Sequence, residues 1–118
     1  MGDGPKELVR FVVDCWADEA GLDRMAEQLA PGYVHHTPFG DFDFAGFRHG
    51  MAWVETQFAG RSYRVEQITV EDDLAAAYLS WSATRVSDGS AVDGRGAYFC
   101  RFADGLIAED WDVFAPLS

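Results

Sequence analysis

The sequence predicts an α+β fold in which three helices cross one face of a curved antiparallel sheet. Apolar residues recur at helical spacing in the first half of the chain, and after Gly60 they alternate as in strands. The strand-like segments are separated only by short turn sequences, which is typical of an antiparallel meander. The predicted element order is therefore ααβαββββ, and we expect a sheet of this kind to enclose a cavity.

The first helix is predicted at about 5–18, with Pro5 in its first turn and one apolar stripe. A second helix at about 22–29 follows the break at Gly21 and ends at Pro31-Gly32. A third helix is predicted at 45–58, where Gly60 closes it.

The predicted strands begin with a short one at 33–37, followed by a loop at 38–44. A long strand at 62–72 turns at Asp72-Asp73 into a second at 74–86, and a loop at 87–90 leads to the last two strands at 94–102 and 106–114. The whole chain, 1–118, is expected to form a single domain, with a flexible N-terminus at 1–4.

The last hairpin has two possible registers. Asp104-Gly105 alone is a two-residue turn that places Tyr98 opposite Trp111 and puts Tyr98 and Asp112 on different faces. A three-residue loop that includes Ala103 places Tyr98 opposite Asp110. We favour the three-residue loop because it separates a mostly apolar face from a mixed one. The first face would hold Tyr98, Cys100, Phe102, Leu106, Ala108, Asp110, Asp112 and Phe114, and the second Phe99, Arg101, Ile107, Glu109, Trp111 and Val113.

Composition and charge exclude several classes of protein. The chain is 48% hydrophobic and 25% charged, which argues against disorder and low complexity. Its 20 acidic and 9 basic residues give a net charge of −11, so nucleic acid and anionic membranes are poor partners. The polar start is unlike a secretory signal, and no apolar run is long enough to cross a bilayer. Cys15 and Cys100 are expected to be reduced core residues, which favours a cytoplasmic location.

Two carboxylates near the end of the chain are candidates for acid/base chemistry. Alternation along the strand puts Asp110 and Asp112 on the same face, where burial and mutual repulsion would raise a carboxyl pKa. A solvated strand end is the alternative interpretation. Of the adjacent His35 and His36, one should face the interior, and the pattern leaves open which.

The remaining candidates concern substrate binding, which is also expected of Asp110 and His36. Four aromatic residues could line a pocket for a flat hydrophobic ligand or simply fill the core: Trp53, Phe58, Tyr63 and Trp81. His49 has no partner at metal-ligand spacing, so no metal site is predicted. The sequence has no nucleotide-binding glycine motif, and we expect no cofactor.

Two segments carry a resemblance to a known family, namely PGYVHHTP at 31–38 and RFADGLIAEDWD at 101–112. The chain resembles the SnoaL-like polyketide cyclases over about 5–115, within the superfamily that has the cone fold of nuclear transport factor and ketosteroid isomerase. The resemblance implies that Asp112 is the acid/base residue. Tyr98 falls where the family has a partner histidine, and His35 falls at a polar position that is often asparagine. A histidine is also frequent at the position of His36.

We therefore expect a cofactor-free acid/base enzyme acting on a small hydrophobic carbonyl compound. Asp112 would move a proton at carbon, Asp110 would keep its pKa high, and Tyr98 with His35 or His36 would stabilise the enolate oxygen. The alternatives are a non-catalytic binding protein and water activation by an Asp-Arg-Asp cluster, as in epoxide hydrolysis. We also expect a homodimer that pairs through the outer sheet face, around Phe99 and Trp111.

Overall fold

In the computed structural model, which describes residues 4–116, three helices lie on one side of a sheet. They are α1 (Pro5–Cys15), α2 (Glu19–Ala26) and α3 (Phe44–Gln57). α1 and α2 end earlier than predicted. Asp18 lies outside both, because its side chain caps α2 by accepting a hydrogen bond of 2.7 Å from the backbone nitrogen of Gly21. Within residues 4–116, none of the helices combines the length and the apolar character that crossing a membrane requires.

Six strands form the single curved and unclosed sheet of the described chain, in the order β2-β1-β6-β5-β4-β3. They are β1 (Leu29–Thr37), β2 (Gly40–Phe42), β3 (Phe58–Glu71), β4 (Leu74–Arg85), β5 (Ala91–Ala103) and β6 (Leu106–Pro116). The predicted α+β fold class and the order of its long elements are confirmed. All neighbouring strands are antiparallel except β1 and β6, which run parallel.

Two local differences from the predicted elements concern the first half of the chain. β1 begins at Leu29, so Pro31-Gly32 lies inside a strand instead of ending a helix. Gly32 has a φ of 79° at the point where the pairing of β1 with β6 shifts. The short strand β2 was predicted as loop. Of the predicted flexible N-terminus, residues 1–3 lie outside the described residues.

The turn between β5 and β6 has two residues, so the favoured three-residue loop is wrong. Asp104 and Gly105 have φ values of 54° and 78°, as a type I′ turn requires, and Ala103 pairs with Leu106. Ala108 is then an extra residue in β6, because Phe102 pairs with Ile107 while Arg101 pairs with Glu109.

This bulge sets which side chains share a face. It brings Tyr98 opposite Asp112 and Cys100 opposite Asp110. The predicted common face of Tyr98, Asp110 and Asp112 is therefore present, through a different register. Ile107, which was predicted on the outer face, is instead fully buried in the core.

The core lies between α1 and the inner face of the sheet. Its fully buried members include Val9, Val12 and Cys15 from α1 and Leu79 and Cys100 from the sheet. Both cysteines are free thiols.

Two glycines on β5 make room for aromatic rings. A Cβ added at Gly96 would lie 2.4 Å from a ring carbon of Phe114, and one at Gly94 would lie 2.1 Å from the indole nitrogen of Trp81. Because these positions lack side chains, the two rings can lie against β5. Both rings form part of the wall of a cavity on this side of the sheet.

Candidate active site

A cavity of about 680 Å³ opens on the helical side of the sheet. Its volume lies in the range of sites for small organic molecules. Aromatic rings make up much of its wall: Trp16, Phe47, Phe58, Tyr63, Trp81 and Phe114. The titratable side chains in that wall are His35, His49, Arg61, Tyr63 and Asp112.

Three of the four aromatic residues proposed for a pocket line this cavity, namely Phe58, Tyr63 and Trp81. Trp53 does not, and 63% of its surface is exposed. The expectation that Trp53 would line the pocket is therefore wrong. The face of α3 that meets the cavity carries Met51 and Val54 instead.

Asp112 places a carboxyl group in the wall of this largely apolar cavity. Its side chain is 17% exposed. Burial raises the pKa of Asp112 to about 6, the charge of His35 lowers it, and the charge of Asp110 raises it. A carboxyl group with a pKa of this value can accept or donate a proton near neutral pH.

Asp110 is enclosed by hydrogen-bond donors and lies behind the cavity wall. Its side chain is 1% exposed. The Tyr33 hydroxyl donates to both carboxylate oxygens at 2.8 Å, and the Tyr98 hydroxyl donates to Oδ2 at 2.8 Å. Oδ1 also lies 2.6 Å from Nδ1 of His35. Asp110 was expected to bind substrate, but the structure buries it among protein groups instead.

Tyr98 is also buried behind the cavity wall. Only 1% of the residue is exposed, and its hydroxyl group points at Asp110. Burial and the nearby charge of Asp110 raise the pKa of this phenol well above its usual value. The expectation that Tyr98 would contact an enolate oxygen disagrees with this position, since Tyr98 is not part of the cavity wall. Its hydroxyl group fixes the orientation of the Asp110 carboxylate.

His35 is the histidine that faces the interior, and it lies between the two aspartates. Its Nδ1 contacts Asp110, and its Nε2 is 3.6 Å from Oδ1 of Asp112. The parallel pairing of β1 with β6 creates this arrangement, because it puts His35 directly beside Asp110. Burial lowers the pKa of His35, but the hydrogen bond with Asp110 and the charges of both aspartates raise it more, so that it lies above its usual value.

His36 lies on the opposite side of β1 and does not line the cavity, so its expected role in substrate binding is not supported. Its Nε2 is 2.7 Å from Glu109, its Nδ1 is 2.9 Å from Asp41, and its ring stacks on Trp111 at 4.8 Å. Glu109 also accepts hydrogen bonds from Arg101 on the outer face. Arg101 therefore does not form an Asp-Arg-Asp cluster with the two interior aspartates.

Two residues of the site were not singled out from the sequence. Tyr33 is one, although its position two residues before His35 puts both side chains on the same face of a strand. Arg61 is the other: it was a single charged residue ahead of a predicted strand, and the structure buries it in the cavity wall.

The fold and the cavity together define a cone-shaped α+β protein of the ketosteroid-isomerase-like type. The chain belongs to the SnoaL-like domain family, whose pattern matches residues 8–110. No match was found among curated proteins.

Solved structures share this fold. AclR from Streptomyces galilaeus, a proposed hydroxylase, is 24% identical, with 93% of this chain and 87% of that one covered and a TM-score of 0.81. IdmH from Streptomyces antibioticus, a proposed polyketide cyclase, is 19% identical, with coverage of 95% and 92% and a TM-score of 0.85. A proposed SnoaL-like polyketide cyclase from Jannaschia sp. CCS1 is 18% identical, with coverage of 97% and 90% and a TM-score of 0.83.

Proposed function

We propose that this protein is a cofactor-independent acid/base enzyme, of the polyketide cyclase or isomerase kind, that acts on a small hydrophobic carbonyl compound. The observation that carries the proposal is the Asp112 carboxyl group, 17% exposed in an apolar cavity, with a pKa raised to about 6 by burial. The family and the proposed cyclases of the same fold support this class of reaction.

In this proposal the ionised Asp112 removes a proton from the carbon next to the substrate carbonyl. The C–H bond breaks, an O–H bond forms on Asp112, and the electron pair moves through the new C=C bond to the carbonyl oxygen. The enolate then attacks a second carbonyl carbon, as in cyclisation, or takes the proton back at another carbon, as in isomerisation. Because Asp112 returns the proton, the cycle needs no oxidant or reductant.

His35 takes the role of electrophile in this scheme. Nδ1 is held by Asp110, so Nε2 points toward the cavity wall and Asp112. The 3.6 Å between Nε2 and the Asp112 carboxylate is longer than a hydrogen bond, which leaves Nε2 available to a substrate oxygen. The raised pKa of His35 favours the imidazolium, which stabilises an enolate oxygen better than the neutral ring does.

The environment of Asp112 favours an enzyme over a binding protein of the same fold. A carboxylate that only stabilises the structure is usually paired with an arginine, and its pKa is then lowered. Among the described residues no arginine lies within 4.0 Å of Asp112, and its pKa is raised. Water activation as in epoxide hydrolysis has less support, because Arg101 contacts Glu109 on the outer face.

Exchange of α-protons for deuterium tests the proposal directly, with 2-tetralone as a bicyclic carbonyl probe observed by proton NMR in D₂O. The wild-type protein should accelerate exchange over buffer, and Asp112→Asn should remove at least about 99% of that acceleration. Calorimetric titration with the same probe is the control for binding. A probe that binds the wild type but exchanges no faster than with Asp112→Asn would identify a binding protein.

We further propose that two copies pair through the outer face of the sheet. Phe99 and Val113 are 46% and 56% exposed there, with Tyr78 on the neighbouring strand. The described helices pack on the opposite face, so nothing in residues 4–116 of one chain covers these side chains. A cytoplasmic location is also proposed, and the two free, buried thiols support it.

A further inference from the structure

Arg61 is a buried cation in the wall of the cavity. It lies near the start of β3, and its side chain is only 2% exposed. Nη2 donates hydrogen bonds to the carbonyl oxygens of Trp16 at 3.1 Å and Ala17 at 3.2 Å, and Nη1 donates to that of Phe58 at 3.4 Å. All three partners are neutral.

Arg61 has only a long ion pair with a solvent-exposed partner among the described residues. Its nearest carboxylate is that of Glu55, 3.9 Å from Nη2 and more than half exposed. By contrast, Arg48 on the surface lies 2.7 Å from Glu19 and 2.6 Å from Asp23. A buried charge without a close partner is costly, so chains rarely keep one for packing alone.

The hydrogen bonds of Arg61 explain only in part why a guanidinium is buried here. Trp16 and Ala17 directly follow α1, so the guanidinium satisfies carbonyl groups at the C-terminal end of that helix. A guanidinium has five N–H donors, and three are used here. Nε is fully buried and has no hydrogen-bond partner among residues 4–116. The guanidinium therefore keeps unused donors and a poorly balanced charge in the cavity wall.

Tyr63 lies beside Arg61 in the same wall. Burial raises the pKa of the Tyr63 phenol, and the nearby Arg61 guanidinium lowers it. Tyr63 also lines the cavity, so its hydroxyl group and the guanidinium lie in the same part of the wall. The surrounding wall, which includes Trp16, Phe58 and Trp81, is aromatic.

We propose that Arg61 and Tyr63 form a subsite that binds an anionic oxygen group, such as a carboxylate, on an otherwise apolar ligand of this cavity. The guanidinium supplies the opposite charge and the phenol a hydrogen bond, while the aromatic wall holds the apolar body. This inference rests on the proposed function, because only that proposal makes the ligand of the cavity a substrate. It narrows the substrate class to hydrophobic carbonyl compounds that also carry an acidic oxygen.

The sheet separates that group from the reacting carbon. β3, which carries Arg61, and β6, which carries Asp112, are three strand spacings apart in the sheet. The two residues also lie on different rows of the strand pairing, because Asp112 is in line with Tyr98 while Arg61 lies near the row of Ser82. The acidic oxygen and the carbon that loses its proton should thus belong to different ends of the ligand.

The test compares two probes of nearly the same shape, 2-naphthoate and 2-naphthamide, by calorimetric titration of the full chain. The wild type should bind the carboxylate at least about tenfold more tightly than the amide. Arg61→Gln should reduce this preference to less than about threefold, mainly by weakening the binding of naphthoate. Arg48→Gln is the matched control, because it removes one positive charge outside the cavity and should keep the preference.

Arg61→Gln can fail to fold, since it also loses the contacts with the end of α1. Tyr63→Phe therefore provides a second variant that keeps the guanidinium, and it should lower the affinity for naphthoate about three- to tenfold. Equal affinity of the wild type for both probes, no binding of either at millimolar concentration, or an unchanged preference in a folded Arg61→Gln variant would each overturn the subsite.

These titrations do not depend on catalysis. A preference for naphthoate without accelerated 2-tetralone exchange would support the subsite and contradict the proposed enzymatic function. Accelerated exchange without the preference would contradict the subsite alone.

Discussion

Nδ1 of His35 lies 2.6 Å from Oδ1 of Asp110, and this contact connects residues on two parallel strands that are 75 positions apart in the chain. Asp110 also accepts hydrogen bonds from the hydroxyls of Tyr33 and Tyr98. The imidazole is therefore held by a carboxylate that is itself held on both oxygens. Nε2 remains directed toward Asp112, the group proposed to move the proton.

The first prediction concerns pH and catalysis. Asp112 must be ionised to act as a base, and its pKa is about 6. The rate of 2-tetralone exchange that the protein causes should therefore rise as the pH passes through about 6, and it should fall again at the pH where His35 loses its proton. NMR exchange rates between about pH 4.5 and 8 measure this. A rate that falls steadily over the same range would rule out Asp112 as the base.

The second prediction concerns pH and stability. The folded-state pKa of Asp112 is raised from 3.8 to about 6, so the folded protein binds this proton more tightly than the unfolded chain does. The resulting stability is present below about pH 4 and is lost as the pH rises through about 6. Asp112→Asn removes the buried charge and should stabilise the protein by about 1–2 kcal/mol near pH 7.5, with little effect near pH 4.

Urea unfolding of both proteins at the two pH values measures this difference. Asp41→Asn, at an exposed carboxylate on β2, is a matched control that should show no comparable gain. An Asp112→Asn variant that is less stable than the wild type near pH 7.5 would contradict a carboxyl group whose pKa is raised by burial.

The third prediction separates positioning from catalysis. Tyr33→Phe removes one hydrogen bond from Asp110 and leaves the ring, so it should lower the free energy of unfolding by about 1–3 kcal/mol. It should also slow 2-tetralone exchange about three- to thirtyfold without abolishing it, because His35 loses part of its support. Tyr78→Phe, at a half-exposed tyrosine on the outer face, is the control for the exchange rate, which it should leave unchanged.

The readout specific to positioning is the pKa of His35, followed by NMR of its ring protons. Because the Asp110 carboxylate is held less firmly in Tyr33→Phe, its hydrogen bond with His35 changes, and the pKa of His35 should differ from that of the wild type. If stability falls while the pKa and the exchange rate stay unchanged, Tyr33 contributes to packing only.

The fourth prediction concerns the glycines that shape the cavity. A Cβ at Gly96 would lie 2.4 Å from the ring of Phe114 and 2.9 Å from the carbonyl oxygen of Val113. Gly96→Ala should therefore destabilise the fold by about 1–3 kcal/mol, because the ring must move. At Gly50 in α3, an added Cβ meets nothing within 4 Å, and Gly50→Ala should instead stabilise the helix by about 0.5–1 kcal/mol. Urea unfolding of both variants measures the contrast.

The fifth prediction concerns assembly. Phe99→Glu places a charge at the centre of the exposed outer face and should convert the proposed dimer into a monomer, because burying a carboxylate there is costly. Light scattering coupled to size-exclusion chromatography, at micromolar concentration, gives the mass. Arg64→Glu, which places a charge at an exposed position of the edge strand β3, should leave the dimer intact. A monomeric wild type would refute the pairing.

Much of the fold follows from burial periodicity. The stripe of α1 and the alternation of β3 and β4 were predicted because each element buries one regular face. β2 is only three residues long and fully exposed, so it has no such signal. The bulge at Ala108 could not be predicted from the sequence either. The turn sequence allows two loop lengths, and the packing of Ile107 into the core decides the register.

The candidate site, like the fold, was predictable only in part from the sequence. Asp112 and Asp110 were predicted to share a face because they are two residues apart on one strand, a relation that any bulge before them preserves. That His35 rather than His36 faces inward depends on the parallel pairing of β1 with β6, which links distant segments. Arg61 could not be recognised for a related reason. Its burial comes from the end of α1, which is more than 40 positions away in the chain.

The single extra residue at Ala108 also bears on how this chain can change during evolution. Every residue after it occupies its side of the sheet because β6 is one position longer than the paired stretch of β5. In a regular ladder Ala108 would pair with Arg101, and the two interior acids would turn to the outer face. The bulge prevents this, and deleting Ala108 would leave Ile107 opposite Phe102 and Glu109 opposite Arg101, so that the acids would keep their side. Loss of this residue should thus be tolerated among functional descendants, whereas one further insertion before Asp110 would turn the acids outward.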